Sequence, residues 1–170
     1  MKTAPSFREA SEVDANTLLD FMRAYYAFDG HAFDEEKARA ALIALLRNPE
    51  LGVAWLILDG ESQAGYVVIC FGYSLEWRGR DAFVDEFYLH EQYRGRGWGR
   101  MAIEFVESAA QQLGVTALHL EVVRRNIAAL EIYCKLGFKE HASTIMSKWI
   151  THDAAKQESK TSGRSGALTD

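Results

Sequence analysis

The sequence predicts an α+β (mixed α/β) domain, with a central mixed, mostly antiparallel sheet of about six to seven strands flanked by about four helices. Three observations carry that prediction. Apolar residues recur at helical spacing through the first fifty residues. Residues 52 to 89 are β-branched, aromatic and broken by hairpin turns, and from residue 98 onward helical and strand-like segments alternate. The 170 residues, 48% of them hydrophobic, suffice for one core, since a chain of this size buries roughly 70% of its unfolded surface without a disulfide or metal staple.

A short alternating start around Ser6 to Ala10 leads to Ser11, and Asp14 three residues later completes a helix N-cap signature. Val13, Leu18, Phe21, Met22 and Tyr25 then recur at helical spacing to about Ala27, and Phe28-Asp29-Gly30-His31 reads as a loop. Asp34 caps a second helix, with Glu35 and Glu36 in its first turn and Ala38, Leu42, Leu45 and Leu46 on its apolar side, ending near Asn48-Pro49. Gly52 to Leu58 is strand-like, Asp59-Gly60 is a two-residue hairpin turn, Ala64 to Trp77 is the next arm, Arg78-Gly79-Arg80 turns, and Ala82 to Leu89 returns. Trp98 to Leu113 carries Ile103, Val106, Ala110 and Leu113 on one face, with Gly114 as its stop. Ala117 to Val122 alternates as a strand, Asn126 caps a short helix from Ala128 to Leu136, and Phe138 to Ile150 reads as one or two closing strands. A strand, a helix and a strand over residues 82 to 122 imply a parallel pair joined by a crossover helix.

Charge and composition narrow the function. The net charge of −5 argues against a general nucleic-acid binder and favours cationic small partners. The charges within residues 151 to 170 cancel, so the whole excess belongs to the folded part, and that polar, aperiodic stretch is expected to be a disordered tail. No stretch approaches the roughly 18 apolar residues of a membrane span, and the start lacks an apolar signal core, so the expected location is cytoplasmic. Cys70 lies in an apolar run and Cys134 in a helical one, without a CxxC or a Cys/His cluster, and both read as buried thiols in a reducing compartment.

The chemistry concentrates in Tyr93-Arg94-Gly95-Arg96-Gly97-Trp98-Gly99-Arg100, between a strand and a strong helix. Alternating glycines leave backbone N–H groups uncovered at the positive end of a helix, and Arg94, Arg96 and Arg100 add charge suited to a pyrophosphate. The spacing is neither the G-x-G-x-x-G of a dinucleotide fold nor a P-loop. A plain glycine-rich loop or an RGG-like RNA contact is the alternative.

At these residues the sequence resembles the GNAT superfamily of N-acetyltransferases, closest in flavour to diamine and polyamine acetyltransferases. The family's Arg/Gln-x-x-Gly-x-Gly/Ala stands here as Arg94-x-x-Gly97-x-Gly99, preceded by Val84-Asp85-Glu86-Phe87-Tyr88-Leu89, and Asn126-x-x-Ala129-x-x-x-Tyr133-x-x-x-Gly137-Phe138 is similar to its second signature. The one departure is Glu91, where many members carry proline. The resemblance covers residues 5 to 150 as an N-acetyltransferase domain. It implies that strands four and five splay apart to hold acetyl-coenzyme A, the sole cofactor, with no metal. Cofactor contacts are implied for Arg94, Gly95, Arg96, Gly97, Trp98, Gly99 and Arg100 at the pyrophosphate, Phe87, Tyr88 and Leu89 along the pantetheine, and Asn126, Ala129 and Tyr133 at the thioester. The partner implied is a small-molecule amine, with no nucleic acid or membrane, and homodimers are frequent in the family.

The expected reaction is transfer of an acetyl group to a primary amine of a small cationic acceptor, polyamine or amino-acid-like, by direct attack in a ternary complex. A leaving thiol near pKa 8.5 and a tyrosine near 10 make full proton transfer from Tyr133, the expected acid, uphill by roughly 2 kcal/mol. A carboxylate cannot strip a free ammonium, a gap of about 6 units, so Asp85 or Glu86 would receive the proton late, through water, or with a desolvation-raised pKa. Adjacent strand residues face opposite ways, so at most one of the two is expected to face the cleft, and the resemblance favours Asp85. The resemblance also implies that Tyr25, Tyr26, Asp29 and His31, with Tyr73 and Glu76, face the acceptor, where aromatics and carboxylates suit a cation; helix-end packing with a polar loop is the alternative reading of the same residues. A peptide N-terminal amine, an aminoglycoside, a non-catalytic acyl-coenzyme A sensor and an RNA module remain as alternatives.

Overall fold

A computed structural model describes residues 4–150. β1 (Ser6–Glu9) leads through a 3₁₀ turn (Glu12–Asp14) into α1 (Ala15–Asp29). Asp14 fixes that entry, because it accepts the Ser11 backbone N–H at 2.9 Å and both ends of the Arg8 guanidinium at 2.7 and 3.0 Å. Ser11 therefore caps a 3₁₀ turn, and the helix proper begins three residues later than the cap signature suggests. α1 runs two residues past Ala27 to a left-handed Gly30. α2 (Glu35–Arg47) starts where expected, with the Asp34 carboxylate accepting the Lys37 N–H.

Four antiparallel strands follow one another across the sheet: β1, β2 (Gly52–Asp59), β3 (Ser62–Ser74) and β4 (Gly79–Leu89). The β3–β4 turn falls at Leu75–Arg78 instead of Arg78–Arg80, because cross-strand pairing continues to Ser74 and Gly79. There the Arg80 guanidinium lies 4.0 Å over the Phe71 ring. After a 3₁₀ turn (Glu91–Tyr93), α3 (Trp98–Gln112) crosses over to β5 (Ala117–Leu120), which pairs parallel with β4 as expected. α4 (Ile127–Lys135) is capped by Asn126, whose side chain accepts the Ala129 N–H at 3.2 Å.

Period-two alternation gives the sheet two apolar faces. On one, Ala54, Leu56, Tyr66, Val68 and Tyr88 pack under Leu18, Leu19, Met22 and Leu42 of α1 and α2. On the other, Val53, Trp55, Val67, Ile69, Ala82 and Val84 meet Ile103 and Val106 of α3, with Tyr133, Leu136 and Phe138 against them. A third cluster, with Ile57, Leu89, Tyr93 and Trp98, closes the end of β4 where α3 begins.

The sheet holds five strands among the described residues, against the six to seven expected. The difference lies after α4, where residues 140–150, which begin a second unit of the chain, carry no regular secondary structure. Cys134 is exposed, contrary to its buried reading, and Cys70 is half-buried. No helix among the described residues is long and apolar enough to cross a membrane. The tail expected over residues 151 to 170 lies outside the described residues.

Candidate active site

The site begins with an irregularity in β4. Ile69 pairs with Val84 and Val68 with Glu86, so Asp85 is an extra residue, a β-bulge. A bulge sets two successive residues against one and turns both toward the same face. Glu86 accepts a hydrogen bond from Tyr66 Oη at 2.8 Å, and the Cys70 thiol donates to Asp85. Tyr66 and Cys70 belong to the face covered by α1 and α2. Asp85 and Glu86 therefore share that face, which overturns the expectation that only one of them could.

Around this pair the ionisable groups disturb one another. Glu86 is buried, and desolvation raises its carboxyl; hydrogen bonds from Tyr66 and Tyr26 partly counter that, and the neighbouring Asp85 charge adds to it. Asp85 is reached by solvent, yet protein crowds it closely enough that desolvation raises it as well, against the Cys70 hydrogen bond. Burial and the Glu86 charge push the Tyr26 hydroxyl up to about 12, and raise Tyr66 further. Burial and Asp85 push the Cys70 thiol up to about 11. At neutral pH both phenols and the thiol therefore keep their protons and serve as donors to the two carboxyl groups.

β4 opens just past the bulge. Its pairing with β5 ends at Val84 and Leu120. The His90 N–H donates to the Ala64 carbonyl of β3's edge at 2.9 Å. Because backbone groups alternate along a strand, Phe87 and Leu89 turn theirs toward the side that β5 has left, while those of Tyr88 turn toward β3. This is the splay that the resemblance implied. At its mouth Gly95 and Gly97 hold φ +70° and +85°, where a Cβ would meet nothing within 4 Å, and Gly97 ends the approach to α3 with no capping side chain. An open glycine loop at a helix's positive end fits a diphosphate. The residues present thus match coenzyme A.

The side chains around the loop depart from the expected division of labour. Trp98 is buried and stacks on Tyr93 at 5.1 Å, so its backbone alone can serve a ligand. Arg94 Nε donates to the Leu89 carbonyl at 2.8 Å, and its guanidinium lies 4.6 Å over Phe28 and 5.4 Å over Tyr88. Arg96 lies 5.4 Å over Tyr93, and Arg100 pairs with Glu104 at 2.8 Å. The three arginines are thus held in contacts of their own. Tyr133 packs on the α3 side of the sheet with its ring 5.8 Å from Phe138, and burial raises its hydroxyl, making it a poorer acid than an ordinary tyrosine.

Of the expected acceptor wall, the structure brings Tyr26 to Glu86, with Tyr25 and His31 beside it. The side chain of Asp29 lies outside the described residues. Tyr73 is opposite Arg80, on the α3 face of the sheet, and Glu76 lies in the β3–β4 turn. These two are turned or placed away from the carboxylates by strand periodicity. Tyr66 and Cys70, four residues apart on β3, complete the cluster and were missed. Both alternate with the apolar core residues Val67 and Ile69, so their spacing marks the opposite face, but only the cross-strand register shows that the acids lie there.

A family model described as the acetyltransferase (GNAT) family matches residues 16–138. Thialysine N-epsilon-acetyltransferase of Bos taurus is 30% identical over 142 residues, covering 78% of this chain and 83% of that protein. An uncharacterized N-acetyltransferase, YycN, of Bacillus subtilis is 36% identical over 69 residues, 41% of this chain and 44% of its own length. Among solved structures, an integron cassette protein from the mobile metagenome of Cole Harbour Salt Marsh superposes with a TM-score of 0.76 at 32% identity, covering 85% of this chain and 90% of that one. A crystal structure from Clostridium acetobutylicum, described as a predicted acetyltransferase with acetyl-CoA, shares the fold, with a TM-score of 0.72 at 16% identity, over 85% of this chain and 96% of that one. A bulged acidic strand, an open glycine loop before a crossover helix and a family match across both motifs agree, and the chain belongs to the GNAT family of acetyltransferases, enzymes that use acetyl-CoA.

Proposed function

We propose that the acetyl group goes to a primary amine of a small cationic acceptor, polyamine or amino-acid-like, by direct attack in a ternary complex. The observation that carries this reading is the bulge, which presents Asp85 and Glu86 together on a face walled by tyrosines. Relatives named for acetylating the ε nitrogen of thialysine support an amine of this kind.

When bound, acetyl-CoA supplies an activated thioester carbonyl. The amides from Arg94 to Gly99 would hold its diphosphate, the outward backbone groups of Phe87 and the outward N–H of Leu89, whose carbonyl is taken by Arg94, its pantetheine arm, and Asn126, Ala129 and Tyr133 would line the thioester end. Asn126 already serves α4 as its cap, so its contribution is to fix the helix that carries Tyr133. Asp85 takes the proton that the attacking nitrogen sheds as it bonds to carbon. Its raised carboxyl narrows the gap of about 6 units to a free ammonium. Glu86, clamped by Tyr66 and Tyr26, holds the second negative charge that keeps an ammonium in place. Tyr133 donates a hydrogen bond to the departing sulfur, and its raised pKa argues for that partial role over complete transfer.

The test is a panel of primary amines incubated with acetyl-CoA while thiol release is followed. Turnover of diamines, polyamines or lysine-like amino acids supports the reading. Turnover confined to peptides or aminoglycosides, or coenzyme A binding without turnover of any amine, contradicts it.

A further inference from the structure

Asp81 lies on the same face of β4 as Asp85, four residues earlier. Its cross-strand partner is Gly72, and its Oδ1 rests where a Gly72 Cβ would sit, 2.6 Å away. That oxygen is buried and has no hydrogen-bond partner. The other oxygen, Oδ2, is 3.4 Å from Nε2 of His119 on β5, and Trp77 fixes the imidazole from a ring distance of 5.2 Å. Asp81 and His119 are 20% and 25% exposed. A carboxylate this enclosed, with one oxygen unsatisfied and no lysine or arginine bonded to it among the described residues, calls for an explanation.

We infer that Asp81 and His119 form a distal subsite for a second ammonium of the acceptor; the inference rests on the proposed amine acetylation. Asp81 Oδ2 and His119 Nε2, 3.4 Å apart, set a carboxylate oxygen beside an imidazole ring, polar groups of the kind that receive an ammonium. Phe83, paired with Cys70 across the sheet, lies between Asp81 and Asp85 on this face and gives an apolar floor for a methylene chain. Asp81 faces Gly72 and the bulge at Asp85 falls opposite Val68 and Ile69, so between three and four extended residues, roughly 12 Å, separate the two carboxylates. A zigzag chain advances about 1.25 Å per bond, so about eight to ten atoms between the nitrogens span it. The subsite therefore selects long diamines or triamines over short ones.

The experiment compares kcat/KM for 1,9-diaminononane, 1,3-diaminopropane and nonylamine in the full chain and in Asp81→Asn and His119→Gln variants. The expected result is a preference for the long diamine in the parent protein. Asp81→Asn should lower its kcat/KM about tenfold, the effect of a lost charged hydrogen bond, and His119→Gln less, with nonylamine turnover within twofold in both. Nonylamine turnover also serves as the control for folding. Equal use of the long diamine and nonylamine by the parent, or equal losses for both in Asp81→Asn, overturns the subsite and leaves amine acetylation standing. Thiol release with no amine overturns both.

Discussion

Asp85 and Glu86 are adjacent acids with different work to do, and their surroundings separate the roles. Asp85 meets solvent, while Glu86 is buried and accepts from two tyrosine hydroxyls. Asp85→Asn should cut kcat by about 10² to 10⁴ with coenzyme A affinity unchanged, the usual contribution of a general base. Stability should respond in the opposite sense. Both carboxyls hold their protons more tightly in the folded protein than in the unfolded chain. As pH rises through the ordinary carboxylate range the unfolded chain ionises first and stability falls, until the folded-state values are passed. Glu86→Gln should therefore melt higher than the parent at pH 7 and match it near pH 3, and melting curves across that range check this. The sequence showed two acids and an aromatic run, but the bulge that turns both to one face is a matter of register, which no local signal in residues 84 to 86 carries.

At the scale of the element, the start of α1 and the start of α3 were both legible, for different reasons. Asp14 is written into the Ser11 signature, although its stronger partner, Arg8, lies in the strand before it. Arg8 and the Ser11 amide hold the Asp14 carboxyl below its ordinary range, so its contribution is present above that range and lost as pH falls through it. Asp14→Asn should destabilise the protein at pH 7, with the penalty shrinking toward pH 3, opposite to Glu86→Gln in the same melts. The loop before α3 was legible through its glycines, because only glycine takes φ +70° and +85° at no cost. Gly97→Ala should cost about 1–2 kcal/mol from backbone strain alone, since its methyl would meet open space. Calorimetry should show weaker coenzyme A binding in that variant without loss of the fold. The charge of the arginines suggested a phosphate, whereas ring faces and a carbonyl already engage Arg94.

Across the whole molecule, the fold was readable because hydrophobic period and turn chemistry agree through residues 6 to 136, and the closing strands were not confirmed beyond that point. Among the described residues the sheet has five strands with one parallel pair, and β4 runs on unaccompanied where β5 stops, between the acidic face and the glycine loop. The account's central claim is that Asp85, on its bulge, accepts the proton of an amine acetylated from acetyl-CoA. It is tested most directly by amine-dependent thiol release from the parent and Asp85→Asn proteins, with coenzyme A affinity measured by calorimetry on the same samples. The account predicts equal affinities and a rate at least a hundredfold lower in the variant. Equal affinities with equal rates would contradict it.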